Sequence, residues 1–281
     1  MGNFEFKKKF GQNFLSDENL LETIVQKAGV TKGDTVVEIG AGKGALTAVL
    51  SKYAKKVYAF EIDRELVEFL TEKFDGTNVQ LVFEDVMKFD DKRLNDMIGE
   101  KFKLVANLPY YVTSPIITRF LQNDNLESLT VMVQEEVADR IIAKPKTKDY
   151  GVLTIMCGLF GEAQKVLRVG REKFYPIPKV DSAVVRIDKK QDLEKEKFLG
   201  VIELAKKAFS MRRKKLSANL ENEKFSKQQL EDIFRKNGFF ESVRAEEISI
   251  DEFIALFELL KKWKSFKICD LCRKKHLDND G

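Results

Sequence analysis

Asn107, Leu108, Pro109 and Tyr110 combine acceptors, rigidity and an aromatic face in one short turn. The side-chain oxygen of Asn107 and the backbone carbonyl of Leu108 are two acceptors suited to holding both hydrogens of an exocyclic ring amine. Such an amine is a poor nucleophile because its lone pair is delocalised into the ring. Fixed acceptors that draw the nitrogen toward tetrahedral geometry are preorganised stabilisers of its reaction. Pro109 stiffens the turn so that the acceptors stay aimed. Tyr110 offers a π-face to a base taken out of its stack. Asparagine and proline are also ordinary turn residues, so the chemical reading depends on what surrounds the turn.

A second constellation supplies that context. In VVEIGAGKGALT, residues 36–47, an apolar run ends at Glu38 and Ile39, and Gly40, Gly42 and Gly44 follow before a helix-like stretch. Glycine admits positive φ and lets a ligand approach the backbone without a Cβ in the way. The spacing is G-x-G-x-G, neither the dinucleotide G-x-G-x-x-G nor a phosphate-binding P-loop. Glu61 stands about 20 residues further on, where an acid accepts from ribose hydroxyls. Asp85 follows the next apolar run and is placed to accept from an adenine amine. A glycine turn alone equally fits a nicotinamide-dependent enzyme or a ligand-free Rossmann-like domain. Glu61 could instead serve a helix dipole, and Asp85 a surface turn. Their joint register favours S-adenosylmethionine, with Ile62 and Val86 as neighbours in its pocket. The two constellations together point to methyl transfer onto the N6 of adenine, driven largely by proximity and orientation, with no metal.

The elements that must position these residues follow from periodicity. Apolar runs at 35–39, 57–60, 79–82, 103–106 and 129–133 read as strands. Helix-like stretches near 45–52, 63–73 and 115–122 separate them, which implies a parallel, doubly wound sheet. Runs at 163–169 and 183–188 add strands around an irregular loop containing Pro176 and Pro178. Before the sheet, Ser16 and Asp17 are cap candidates for a helix over 17–28. After Lys189, KKQDLEKEK reads as a solvated linker. Beyond it, capping boxes at Ser226/Gln229 and Ser249/Glu252 mark helices, the last carrying Phe253, Ile254, Phe257, Leu260 and Trp263. The expected domains are 1–188, an α/β methyltransferase domain, and 189–281, a small all-helical domain with a polar tail.

Composition narrows the alternatives. With 281 residues, 43% apolar and 33% charged, the chain is a folded protein of one large domain or two. The net charge of +4 is mildly basic. The single histidine, His276, lies in the polar tail, which argues against Ser-His-Asp, Cys-His and histidine-metal catalysis. Three cysteines, Cys157, Cys269 and Cys272, form no disulfide framework and suit a reducing cytoplasm. No signal-peptide h-region and no membrane-spanning run is expected.

In order along the chain, KKKFGQNFL, VVEIGAGKGALT, FEID, FEDV, NLPYYVTSPII and FYPIPKVDSAVV resemble the bacterial small-subunit (16S) ribosomal RNA adenine dimethyltransferases. The resemblance extends over about residues 7–220 and includes AFSMRRKKLSANL. It implies a Rossmann-like class I methyltransferase sheet with a small helical C-terminal domain. It also implies conversion of two adjacent adenines near the 3′ end of small-subunit rRNA to N6,N6-dimethyladenine during ribosome assembly. By that resemblance Asn13, Leu15, Gly40, Glu61, Asp85 and Asn107 line the cofactor pocket, and residues 107–110 hold the amine. Phe174, in a loop that two prolines hold extended, then stacks on the base; the alternative is that Phe174 or Tyr175 packs the loop onto the domain. Two departures stand out: Tyr111, where asparagine is commoner, and the tail with Cys269, Cys272 and His276.

Arg212, Arg213, Lys214 and Lys215 form a basic run near the end of a helix that also carries Lys206 and Lys207. They suit phosphate contacts or compensation of the helix dipole; Lys7, Lys8 and Lys9 suit either RNA or a charged terminus. The C-x2-C-x3-H tail lacks an evident fourth zinc ligand and reads as an incidental thiol pair. The expected partner is the small ribosomal subunit and its rRNA, engaged by a monomer, with no membrane. The alternatives are a macrolide-resistance type of large-subunit rRNA methyltransferase, an inactive RNA-binding assembly factor, and a DNA adenine methyltransferase.

Overall fold

Strands with apolar residues at every position belong in a sheet covered on both faces, and the chain places its apolar runs there. The computed structural model describes residues 14–191, 193–223 and 225–262. Expectations concerning Lys7, Lys8, Lys9, Asn13, Trp263, Cys269, Cys272 and His276 lie outside the described residues. A two-residue strand Phe14–Leu15 (β1) leads into Glu18–Lys27 (α1), capped by the Asp17 carboxylate, which accepts from the Leu20 N–H. Then come Thr35–Ile39 (β2), Ala45–Tyr53 (α2), Lys56–Phe60 (β3), Val67–Phe74 (α3), Val79–Val82 (β4) and Asp91–Ile98 (α4). Phe102–Asn107 (β5), Thr113–Leu121 (α5), Leu126–Gln134 (β6) and Glu135–Ile141 (α6) complete the alternation. Val152–Phe160 (α7), Gly161–Val169 (β7), Phe174–Tyr175 (β8) and Ser182–Lys189 (β9) follow.

The seven-stranded sheet has the order β4-β3-β2-β5-β6-β9-β7. The first five strands are mutually parallel, whereas β9 runs antiparallel to both β6 and β7. The five strands expected from alternation are parallel, and the two added strands make the whole sheet mixed. The reason is that β7 and β9 are joined by a loop rather than a crossover helix, and such a connection returns the chain antiparallel. Strand order reverses between β2 and β5, and a crevice opens at the carboxyl ends of strands at such a point. Val36, Val57, Ala59, Val105 and Met132 carry the core beneath it, covered by Leu21, Val25, Leu50 and Leu70.

The chain folds into two compact units, residues 1–142 with 160–191, and residues 143–159 with 192–281. The stretch 143–159, inside the first domain by sequence position, therefore groups with the helical unit. That unit contains Lys195–Ala208 (α8), Leu216–Leu220 (α9), Lys227–Lys236 (α10) and Ile250–Lys262 (α11). Both capping boxes form: Gln229 N–H donates to Ser226 Oγ at 3.3 Å and Glu252 N–H to Ser249 Oγ at 3.2 Å. The Tyr150 hydroxyl donates to the Ile248 carbonyl at 2.8 Å, and Phe209 stacks on Phe253 with ring centroids 6.1 Å apart. Gly200 is a contact glycine, since a Cβ there would sit 2.3 Å from the Phe257 ring. Cys157 is buried, and burial pushes its thiol up to about 12, so it is an inert core residue.

Candidate active site

β2 ends at Ile39 and the chain turns at once through Gly40 and Gly42, both at positive φ. Two N–H groups of this turn, Gly40 and Ala41, donate to the Phe60 carbonyl at 2.8 and 3.1 Å, locking it to the end of β3. Gly44 caps α2 in the left-handed region, and a Cβ there would meet the Phe74 ring at 2.6 Å. Both conditions exclude any larger residue. At Gly40 a Cβ would find nothing nearer than Pro109 Cδ at 4.0 Å, so the loop is open on the side facing the turn after β5.

A cavity of about 510 Å³ occupies this crevice. Its lining brings together Leu15, Gly40, Gly42, Glu61, Ile62, Asp85, Val86, Asn107, Leu108, Pro109 and Tyr110. Every described residue expected for the cofactor and the amine, Phe174 apart, is therefore in one wall. Glu61 is held rigidly: Oε2 accepts from Gly42 N–H at 2.7 Å, and Oε1 from Ile62 and Asp63 N–H, both at 2.8 Å. A carboxylate oxygen has further acceptor capacity, so Glu61 is oriented without being used up. Asp85 caps the short 3-10 turn Val86–Lys88 through Oδ1, which accepts from Met87 N–H at 3.0 Å. On the other side, Leu108 N–H donates to the Met132 carbonyl at 3.3 Å and fixes the exit of β5. The Tyr110 and Ser182 hydroxyls are hydrogen-bonded at 2.9 Å. Burial pushes the Tyr110 phenol above its usual range, the Ser182 bond opposing it, so the ring stays neutral.

Several site residues were not anticipated. Glu38 lines the cavity, is 1% exposed, and its Oε2 has no hydrogen-bond partner among the described residues. Burial pushes its carboxyl up to about 8, with the Thr47 hydroxyl opposing and the nearby Glu61 charge adding to the rise. Its one visible signal was an acid inside the otherwise apolar strand TVVEI. Arg119, on α5, donates to the carbonyls of Val86 and Phe89 and so ties the Asp85 turn to the helix that follows Tyr110. Tyr111, the departure noted in the sequence, also lines the cavity; Leu21, Met87 and Ile116 line it too and Ser182 bonds Tyr110, and nothing in the local sequence marks these four.

Two expectations need correction. Phe174 is 3% exposed, belongs to the core with Leu15 and Val169, and is absent from the cavity wall. Antiparallel pairing of β1 with β8 sets Leu15 against Phe174, and strand alternation then turns Phe174 inward and Tyr175 outward. The basic run lies beyond the helix rather than at its end, because α8 stops at Ala208. Within the run Arg212 is engaged: it donates to the Lys148 carbonyl at 2.6 Å and pairs with Glu246 at 3.2 Å. Lys215 stands 4.0 Å from Glu231, while Arg213 and Lys214 are exposed in the turn. Among the described residues no cluster of histidine, cysteine or acids is suited to a metal, and no helix is long and apolar enough to cross a membrane.

The cavity fits a nucleoside with a cationic extension. It offers two acids for hydroxyls and an amine, an open glycine loop, apolar walls, and a buried acid with an unsatisfied oxygen. Known proteins agree with that shape. The family model for ribosomal RNA adenine dimethylase matches residues 3–262. A ribosomal RNA small subunit methyltransferase A from Clostridium acetobutylicum is 44% identical over 260 residues, covering 89% of this chain and 92% of that protein. One of the same name from Clostridium perfringens is 41% identical over 269 residues, covering 93% of each. Among solved structures, a dimethyladenosine transferase from Plasmodium falciparum superposes with a TM-score of 0.76 at 27% identity, over 90% of this chain and 98% of that one. The 23S rRNA methyltransferase ErmE reaches 0.69 at 29% identity, over 89% of this chain and 100% of that one.

Proposed function

Given that the chain belongs to the ribosomal RNA adenine dimethylase family, we propose that residues 107–110 hold the target amine and that the wall from Gly40 to Val86 holds the methyl donor. The protein is an S-adenosylmethionine-dependent methyltransferase that dimethylates adenine in small-subunit rRNA. The observation that carries the assignment of roles is a cavity at the strand-order reversal, where the glycine loop, Glu61, Asp85 and the turn after β5 converge.

When bound, S-adenosylmethionine supplies a methyl group on a sulfonium sulfur, open to in-line attack by a nitrogen. Glu61, held by three backbone N–H groups, accepts from the ribose hydroxyls. Asp85 accepts from the adenine amine of the donor, and Ile62, Val86 and Leu15 supply the apolar surface around it. Glu38 gives the positive end of the donor a buried acceptor. Opposite, Asn107 Oδ1 and the Leu108 carbonyl take the two N6 hydrogens of the target and draw the nitrogen out of conjugation. Pro109 keeps these acceptors in place, and the Tyr110 ring, oriented by Ser182, meets the face of the flipped base. The methylated N6 cation is acidic and releases its proton to water, while the Leu108 carbonyl accepts its hydrogen bond; no strong base is required.

On this reading the targets are two adjacent adenines near the 3′ end of the rRNA, modified during assembly by a cytoplasmic monomer. Arg213 and Lys214 contact RNA phosphates, with Arg212 and Lys215 shaping their turn. The test is transfer from labelled S-adenosylmethionine to small subunits from a strain lacking the modification, followed by mass spectrometry of the digested rRNA. N6,N6-dimethyladenine at two neighbouring 3′-end positions is the expected product. Methylation of large-subunit rRNA alone would assign the resistance type of substrate. Binding of donor and subunit without transfer would leave an assembly factor.

A further inference from the structure

The loop 170–181 carries three well-exposed apolar side chains within six residues: Tyr175 at 67%, Ile177 at 63% and Val180 at 44%. Apolar groups collected on one surface element mark a contact surface. The loop is not slack. Arg171 N–H donates to Asp181 Oδ1 at 3.1 Å, its guanidinium reaches the Lys179 carbonyl at 3.4 Å, and Arg168 pairs with Asp181 at 3.0 Å. These bonds clamp one limb of the loop to the other. Both ends are tied to the wall of the cavity: β8 pairs with β1, whose Leu15 lines it, and Ser182, directly after the loop, holds the Tyr110 hydroxyl. The apolar strip therefore stands at the rim of the site, on the side of the turn that receives the target base.

Charge decides what would lie there. Asp181 pairs with Arg168 and accepts from the Arg171 backbone N–H, and the Glu172 carboxylate folds back on Gly170, where a Cβ would meet it at 2.2 Å. Arg171 and Lys179 stay exposed. An aromatic ring with apolar flanks and outward cations is the chemistry that binds single-stranded nucleic acid, by base stacking and phosphate attraction. A protein partner or a second copy of the chain would use the apolar strip but not the cations.

Resting on the function proposed above, we propose that Tyr175, flanked by Ile177 and Val180, stacks the base of an unpaired nucleotide next to the target adenine, with Lys179 facing its phosphate. Phe174 and Tyr175 then divide the work that alternation imposes on them. The first anchors the loop in the core, and the second meets the RNA.

The experiment measures methyl transfer to unmodified small subunits by wild type, Tyr175→Ala and Tyr175→Phe. In parallel, p-benzoylphenylalanine placed at position 175 is photo-cross-linked on the same subunits. A single lost stack predicts a rise of about tenfold in KM for subunits with Tyr175→Ala, outweighing any change in kcat. Tyr175→Phe keeps the ring and stays within about twofold of wild type, and the cross-link lands on rRNA. An unchanged KM for Tyr175→Ala overturns the proposal, as does an equal loss with Tyr175→Phe or a cross-link to a ribosomal protein or a second copy. Should wild type itself transfer no methyl group to subunits, the functional reading fails, and the cross-link alone decides whether this surface meets RNA.

Discussion

The two ends of the central strands β2 and β5 are built on opposite rules. At their amino ends polar groups are saturated. Lys103 Nζ bonds Asp34 Oδ2 at 2.8 Å and the Gly29 carbonyl at 2.7 Å, and Lys55 grips both oxygens of Glu100 at 2.9 and 2.8 Å while the Thr35 hydroxyl donates to the same carboxylate. At the carboxyl ends the protein leaves matters open: Glu38 keeps an unpartnered oxygen, and the Gly40 turn faces a cavity. Buried polar groups are nearly always paired by the protein itself. At Glu38, which lines the cavity, a bound ligand can supply the missing partner. One pair of strands thus carries scaffold at one end and chemistry at the other.

The sharpest way to break that contrast is Asn107→Ala at the open end. Removing one preorganised group that stabilises a developing charge costs on the order of 3 kcal/mol, or about 10²–10³ in rate. Single-turnover transfer to unmodified small subunits should fall by that factor while the thermal midpoint holds. A loss below tenfold would move the chemistry away from this turn.

Glu38→Gln comes next, and its signature is pH. The Glu38 carboxyl rises from an ordinary 4.5 to about 8 on folding, chiefly through burial. The folded state therefore holds a proton that the unfolded state releases. The corresponding stability is present in full below 4.5 and is lost as pH climbs to about 8. At about 1.4 kcal/mol per unit the ceiling is about 5 kcal/mol, and water in the cavity lowers the expectation to about 3. Unfolding measured from pH 5 to 9 should show wild type losing stability relative to Glu38→Gln. Parallel curves would mean that the acid is not buried as described. Titration calorimetry adds the functional half: wild type should prefer cationic S-adenosylmethionine over its neutral demethylated product more strongly as pH rises through about 8, where the Glu38 carboxyl ionises, and Glu38→Gln should not.

At the saturated end, Lys103→Met leaves Asp34 and the Gly29 carbonyl without their cation. Breaking a fully buried pair costs about 3–5 kcal/mol. Both side chains here are 16% exposed, so about 2 kcal/mol is expected in a urea titration, with transfer by the folded enzyme within twofold of wild type. A catalytic defect without a stability loss would erase the distinction between the two ends.

What the sequence made legible follows the same division by distance. The five parallel strands are predominantly apolar runs, and their expected limits differ from the observed ones by three residues at most. The glycine turn, Glu61, Asp85 and residues 107–110 are local motifs that topology then gathers. Long-range pairings were not legible. Phe174 reads as a base-stacking or a loop-packing residue until a two-residue strand near the amino terminus pairs with it and sets its register. Arg212 reads as a phosphate contact or a helix-dipole cation, and its pairing with Glu246, 34 positions away, is not visible locally. Residues 143–159 read as part of the first domain until Tyr150 bonds Ile248. Arg119 and Ser182 lack any local mark because their partners lie 33 and 72 positions off.

Ser182 gives the smallest expected effect and the most discriminating one. Ser182 is not part of the cavity wall; from a fully buried position its hydroxyl holds the Tyr110 hydroxyl at 2.9 Å. Ser182→Ala leaves the half-buried phenol short of a partner, a loss of about 1 kcal/mol. If that bond orients the ring against the flipped base, the loss appears in transfer, as a fall of about fivefold in kcat/KM for subunits with donor affinity unchanged. Ser182→Thr restores the hydroxyl and should recover most of it, and Tyr110→Phe should make Ser182→Ala nearly silent. Additive losses in that double variant would show that the two hydroxyls act separately, and that the loop and the turn are neighbours without being coupled.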